Sequence, residues 1–285
     1  MASTAPADIL VLVDGEPATQ VSVFDRAFQY GDGLFETLAI HAGRPVWADA
    51  HLQRLTLGMT RLGISGLDMA VVRAEMAQLA AGVEHAVLKL VVTRGQGGRG
   101  YRTPGAVCPT RVLLRYAWPR QPAHAAETGV RVRCCDTLLS RNARLAGIKH
   151  LNRLEQVLAR REWSDDEVVE GLMFDEKDLL IEGVSSNVFL QTGEKILTPR
   201  LDHCGVHGIV RQKIAEIATI LSMQLIEKDI DRGQLQALLD DGAGLFLTNS
   251  LIGLWPVREL DGQPVPIPEP VHRLRDVLAQ QRGFR

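Results

Sequence analysis

The chain has 285 residues, 46% of them apolar, and a net charge of −2 spread over mixed acids and bases. That length suits one large domain or two smaller ones with a sizeable core. The near-neutral, unclustered charge argues against a nucleic-acid partner or a polybasic membrane surface.

No apolar run approaches the roughly 20 residues of a membrane span. The start, Met1-Ala2-Ser3-Thr4-Ala5-Pro6, has no basic stretch followed by an apolar one, so a cytoplasmic protein is expected. The 4 cysteines, Cys108, Cys134, Cys135 and Cys204, form no Cys-x-x-Cys pair, and the 8 histidines include no His-Glu-x-x-His. The cysteines read as reduced core thiols, and no metal site is expected.

In chain order, Ile9–Val13, Asp14-Gly15 and Val21–Val23 predict an opening hairpin on a tight primed turn. Asp25 to Thr37 carries two glycines, Gly31 and Gly33, around Asp32, a bend before a strand. Asp49 is a candidate cap for a helix in which His51 and Arg54 share a face. An arginine there suits an anion such as phosphate, because its guanidinium fork is bidentate. Asp68 caps a second helix ending at Gly82, and Val87–Val92 and Arg111–Ala117 are strands around the glycine-rich loop Thr93–Tyr101. That loop lacks the Gly-Lys-Ser/Thr ending of a P-loop.

Residues 119–128 (Pro119-Arg120-Gln121-Pro122 onward) break all periodicity, so they predict a linker between domains at 1–118 and 129–285. Beyond it lies Ala146-Gly147-Ile148-Lys149-His150-Leu151. A helix is expected just after Lys149, with Leu151, Leu154, Val157 and Leu158 as its apolar stripe and the lysine at the rim of a core. Desolvation there would make the amine a usable nucleophile, able to form a Schiff base with an aldehyde cofactor.

Val168–Phe174 and Leu179–Ile181 predict a hairpin, and Glu182 then stands at a strand end before Ser185, Ser186 and Asn187. Thr198-Pro199-Arg200 is expected to close the next hairpin. Gly205-Val206-His207-Gly208-Ile209-Val210 opens a long helix whose free amides can hold an anion. A strand from Gly244 ends in Asn249-Ser250, a hairpin turns at Asp261-Gly262, and a helix from Val271 to Gln280 closes the chain.

Arg54, Lys149, Glu182, the start at Gly208 and Asn249-Ser250 together supply what pyridoxal phosphate needs: an amine, an acid for the ring nitrogen and anion holders for the phosphate. The chain resembles the fold-type IV pyridoxal-phosphate enzymes, the class of branched-chain and D-amino-acid aminotransferases. The stretches that carry the resemblance are Asp25-Arg26-x-x-Gln29-x-Gly31-Asp32-Gly33, His51-x-x-Arg54-Leu55, Arg94-Gly95-x-Gly97-Gly98-Arg99-Gly100-Tyr101, Ala146 to Val157 and Thr198-Pro199-Arg200-Leu201-Asp202. In that order and spacing they are specific, and they cover the chain from Asp25 to Val257.

The resemblance implies a two-domain α/β (α+β) fold like that of the D-amino-acid aminotransferases, with pyridoxal 5'-phosphate as cofactor. It implies that Lys149 forms the Schiff base, that Glu182 partners the pyridine nitrogen, and that Arg54, Ile209, Val210 and Ser250 hold the phosphate. Val206 falls where the family packs an aliphatic side chain on the ring, and Ser185 and Asn187 fall on cofactor-lining positions. Within the class the chain looks most like the 4-amino-4-deoxychorismate lyases. The D-amino-acid aminotransferases have a tyrosine where Phe35 stands and an Arg-x-His clamp where Arg99-Gly100-Tyr101 stands. The branched-chain enzymes have a tyrosine in place of Leu154.

Thr37 matches a lyase threonine associated with proton transfer. Either Thr37 or Lys149 would protonate the leaving enolpyruvate, and Arg99 is a candidate for a substrate carboxylate. A homodimer acting on a small molecule is implied. An aminotransferase on the same scaffold is the alternative.

Overall fold

A computed structural model describes residues 10–103, 105 and 108–283. Ile9 of the expected first strand and the Met1–Pro6 stretch lie outside the described residues. The chain divides into two compact units: Met1–Arg120 with Ile148–Asn152, and Gln121–Gly147 with Arg153–Arg285. The sequence reading put Ile148–Asn152 with the second unit. It also treated 119–128 as plain linker, whereas Ala125–Thr128 forms a short helix.

Unit 1 holds strands β1 (Leu10–Val13), β2 (Glu16–Pro17), β3 (Gly33–His41), β4 (Arg44–Pro45), β5 (His85–Thr93) and β6 (Arg111–Ala117), with helices α1 (Arg26–Tyr30), α2 (Ala48–Leu62) and α3 (Met69–Ala80). The strands form one antiparallel sheet in the order β2-β1-β6-β5-β3-β4. The opening turn lies at Asp14-Gly15 as read, both at positive φ, but the return strand is Glu16–Pro17, and Val21 and Val23 are exposed.

Alternate β3 residues Leu34, Leu38 and Ile40 are buried with Leu52, Leu55 and Met59 of α2, the period-2 and helical stripes of one core. Asp68 caps α3 by accepting from the Ala70 N–H. Asp49 is not the cap of α2. Trp47, in a left-handed conformation, occupies that place, and Asp49 sits in the first turn paired with Arg73.

Unit 2 holds α4 (Ala125–Thr128), β7 (Val130–Cys134), α5 (Leu154–Arg160), β8 (Val168–Phe174), β9 (Leu180–Gly183), β10 (Asn187–Thr192), β11 (Lys195–Pro199), α6 (Ile209–Ile220), β12 (Gln224–Lys228), α7 (Arg232–Asp240), β13 (Gly244–Asn249), β14 (Gly253–Leu260), β15 (Gln263–Pro264) and α8 (Glu269–Arg282). Its sheet runs β12-β11-β10-β13-β14-β7-β8-β9, with β15 on β14. The core includes Phe189 and Phe246, opposed in register on β10 and β13 with rings stacked at 5.0 Å. The β10–β11 turn falls at Gly193, not at Thr198-Pro199-Arg200. Gly193 supplies the positive φ, and Pro199 ends β11 alongside β12.

The stripe expected after Lys149 does not form a core: Leu154, Val157 and Leu158 are 76%, 53% and 52% exposed, and α5 begins only at Leu154. Residues 148–152 form no helix, and His150 makes an isolated antiparallel bridge to Leu34. The Phe35 N–H donates to the Lys149 carbonyl at 2.9 Å, and the Leu151 N–H to the Gly33 carbonyl at 3.0 Å. Backbone pairing to β3 therefore holds the lysine.

Burial pushes the Cys134, Cys135 and Cys204 thiols up to about 12, which suits inert core thiols, but Cys108 is exposed. Among the described residues no helix is long and apolar enough to cross a membrane.

Candidate active site

In unit 1, β3 presents two chemistries on its two faces. Phe35 and Thr37 point one way. Lys149 Nζ stands 4.5 Å from the centre of the Phe35 ring, and Lys89 Nζ stands 5.4 Å from it. Lys89 is the direct cross-strand partner of Thr37. Two lysine side chains thus share one aromatic ring beside a hydroxyl, an arrangement suited to a planar ligand.

Glu36 points the other way, into the core between Leu34 and Leu38. Its Oε1 accepts from Arg54 Nε at 2.8 Å, its Oε2 accepts from Arg54 Nη2 at short distance, and His51 Nδ1 lies 2.6 Å from Oε2. Burial alone would raise the Glu36 carboxyl. Arg54 and His51 outweigh it and hold it at about 2. His51 is lowered, by burial first, so the ring is neutral and its Nδ1–H donates to Glu36. Arg54 is therefore fixed in plane by a carboxylate that the sequence reading missed. The signal was present: an acid on the apolar register of a strand is aimed at a core and must meet a cation there.

Arg99, the candidate for a substrate carboxylate, is exposed. The arginine fixed in that loop is Arg94, buried and bidentate to Asp32 at 2.7 and 3.0 Å.

In unit 2, Glu182 is 5% exposed on β9, and its Oε2 accepts the Val206 N–H at 2.8 Å. The Val206 carbonyl accepts from Asn187 Nδ2 at 2.9 Å. A Cβ at Gly205 would stand 2.8 Å from Ile181 and Leu201 and 3.4 Å from the Glu182 carboxylate, so only glycine lets the chain pass there. The same strand edge reaches Gly147, whose N–H donates to the Gly205 carbonyl at 2.8 Å.

Helix α6 then starts at Gly208 with no side chain capping its first turn, so the Ile209 and Val210 amides make an anion-binding end. A Cβ at Gly208 would collide with Asn187 Oδ1.

Ser185 is exposed, and its hydroxyl donates to buried Glu170 at 2.6 Å. Glu170 also accepts from Ser186 Oγ and from the Ser185 and Gly171 amides, and burial raises its carboxyl. The Ser185 carbonyl accepts from Asn249 Nδ2 at 3.1 Å, and Ser250 follows in the turn after β13. Beside them Thr248 Oγ1 is buried with no hydrogen-bond partner.

In unit 2, Glu182, Val206 and Asn187 join in one hydrogen-bonded group and Ser185 and Asn249 in another, with Ile209 and Val210 at the start of α6 and Ser250 in the turn after β13. In unit 1, Thr37 lies on β3, Arg54 on α2 and Lys149 beside the Phe35 ring, while Arg99 stands apart. Glu170 and Lys89 went unread, because cross-strand register is non-local.

The sequence profile of the amino-transferase class IV family matches residues 33–260. An aminodeoxychorismate lyase of Vibrio harveyi is 33% identical over 262 residues, 92% of this chain and 95% of its own. A D-alanine aminotransferase of Bacillus licheniformis is 27% identical, over 86% of this chain and 84% of its own. The crystal structure of 4-amino-4-deoxychorismate lyase from Pseudomonas aeruginosa superposes with a TM-score of 0.91 at 43% identity, covering 96% of this chain and 100% of that one.

Proposed function

This chain belongs to the amino-transferase class IV family, and on that footing we propose that it is a pyridoxal-phosphate-dependent lyase converting 4-amino-4-deoxychorismate to 4-aminobenzoate and pyruvate. The observation that carries the reading is the β3 face: Lys149 Nζ over a phenylalanine ring, with Thr37 as its hydroxyl. Likeness to the two lyases supports it.

The donor set fits the cofactor. α6 has an uncapped start, a buried carboxylate accepts a backbone N–H, and the buried Thr248 hydroxyl has no partner. When bound, pyridoxal phosphate supplies an aldehyde carbon for an amine and an electron-withdrawing ring.

Lys149 Nζ is the base that takes the proton from the amine-bearing carbon of the substrate. Glu182, held by the Val206 amide, keeps a proton on the ring nitrogen by charge pairing. Arg54 would hold the phosphate, and so would the Ile209 and Val210 amides and Ser250. Val206 would pack on the ring, and Ser185 and Asn187 would line the cofactor. As the carbon–oxygen bond to the enolpyruvyl group breaks, its methylene carbon takes a proton from Lys149 Nζ or Thr37 Oγ1. Arg99 is a ligand for a substrate carboxylate.

We read the two units as the smaller N-terminal and larger cofactor-binding domains. A homodimer is supported by exposed Phe24, Phe28 and Val23, 63%, 76% and 62% accessible. A cytoplasmic location is supported by four free cysteines.

The test is product analysis. Purified protein incubated with 4-amino-4-deoxychorismate, without any keto acid, should release 4-aminobenzoate and pyruvate in equal amounts. Turnover only when D-alanine and 2-oxoglutarate are supplied would replace the lyase with an aminotransferase.

A further inference from the structure

β3 and β5 end on the same rung, where His41 faces His85. Their Nδ1 atoms are 3.3 Å apart and their rings stack with centroids at 4.7 Å. The backbone just beyond is clamped. The Ala42 N–H donates to the Glu84 carbonyl at 2.9 Å, and the Gly43 N–H to the Val83 carbonyl at 2.8 Å. The two histidines are thereby locked in register. Glu84 precedes His85, with its Oε1 3.9 Å from His85 Nε2, so its exposed carboxylate must turn toward Nδ1 to join the two histidines on one ion. One ligand atom from each of the three residues lies within 4.8 Å of the others.

From this geometry we propose that His41, Glu84 and His85 bind a divalent late first-row metal ion, with zinc as the type. Two nitrogens on one tetrahedral zinc, each at about 2.0–2.1 Å, stand about 3.3–3.4 Å apart. The histidine pair already has that bite. Two imidazoles with a single carboxylate select zinc, nickel or copper over magnesium and calcium, which need mostly oxygen ligands.

The His85 and Glu84 side chains are 43% and 72% exposed, so an ion enters from solvent and water completes its coordination. Thr37 lies roughly 13 Å back along β3 at about 3.3 Å per residue. The ion is therefore peripheral to the lysine face and acts by cross-linking the ends of β3 and β5. The absence of a His-Glu-x-x-His motif gave no warning, because this pair meets across strands.

The test is equilibrium dialysis of zinc against the full-length, untagged chain, with Trp118 as an internal reporter, its ring 6.1 Å from that of His85. The wild-type chain should take up one zinc at this site, and cupric ion should quench Trp118 fluorescence. His41→Asn and His85→Asn should each weaken zinc by more than about 100-fold, beyond the loss from a supporting residue, and abolish the quenching. Far-UV circular dichroism should be unchanged in both. Glu84→Gln should lose less, and Cys108→Ser should change nothing. Equal zinc uptake by the wild type and the double histidine variant would overturn the proposal. So would displacement of zinc by an equal concentration of magnesium, or loss of zinc in Cys108→Ser.

Discussion

In unit 1 a buried cation is answered by another side chain, whereas in unit 2 a buried anion is answered by backbone. Arg54 is held in plane by Glu36, and His51 completes the group. Glu182 accepts the Val206 amide, and the nearby helix start of α6 leaves amide donors at its end. The first arrangement ties charge to stability, because removing either partner strands the other in the core. The second leaves charge available for chemistry, because the amide survives any change of side chain.

The largest effect should therefore come from Arg54→Ala. With Glu36 left buried without a cation and held only by the His51 ring, unfolding stability should fall by about 3–5 kcal/mol, read from urea denaturation. Adding Glu36→Gln should recover part of the loss. A wild-type midpoint in Arg54→Ala would mean that the pair is not a structural one.

The same cluster predicts an acid limb. The Glu36 carboxyl sits at about 2 against an ordinary 4.5. A lowered acid contributes stability that is complete above 4.5 and is lost as pH falls toward 2, about 3 kcal/mol in all. His51 is also lowered from its ordinary 6.5, by burial. Folding must then hold it neutral, so it subtracts stability as pH falls below 6.5. Stability measured against pH should thus decline gently from 6.5 and steeply below 4.5, and Glu36→Gln should flatten the lower part. An unaltered profile in that variant would assign the acid limb to other carboxyls.

Glu182→Gln should behave in the opposite way. It keeps the shape and an acceptor for the Val206 amide, so unfolding should change little. The proposed elimination should slow by on the order of 10²-fold, about 2.7 kcal/mol, through loss of the charge that steadies the ring proton. Single-turnover pyruvate release at full cofactor occupancy reads this. A near-wild-type rate would remove Glu182 from its proposed role.

What the sequence made legible was local. Gly208-Ile209-Val210 and Glu182 could be read because a helix start and a strand end are set by neighbours in the chain, and the structure has both. Lys149 stood out, but its setting did not. Its carbonyl is held by the Phe35 amide, far away in sequence, and the apolar stripe taken as its support is exposed on α5. Glu36 was half legible, since strand alternation puts it with Leu34 and Leu38. Only the packing of α2 on β3 reveals that His51 and Arg54 are its partners. Lys89 meets Thr37 through register alone.

The smallest effect concerns Thr248, and it bears on whether unit 2 is built for a ligand. Its Oγ1 is buried and has no hydrogen-bond partner. Its backbone is secured on both sides, opposite Asn187 on β10 and Leu254 on β14. Valine has the same branched shape, so Thr248→Val removes a desolvated hydroxyl without opening a cavity. The cofactor-free protein should gain about 1 kcal/mol, the low end of the cost of an unsatisfied buried group. If the hydroxyl is instead kept for the cofactor, bound pyridoxal phosphate should stabilise the variant less than the wild type, because ligand binding raises stability with the logarithm of affinity. The expected outcome is that the gain without cofactor disappears once cofactor is added, as followed by thermal unfolding in both states. An equal gain in both would make Thr248 an ordinary packing imperfection of β13 and leave the anion end of unit 2 to α6 and Ser250.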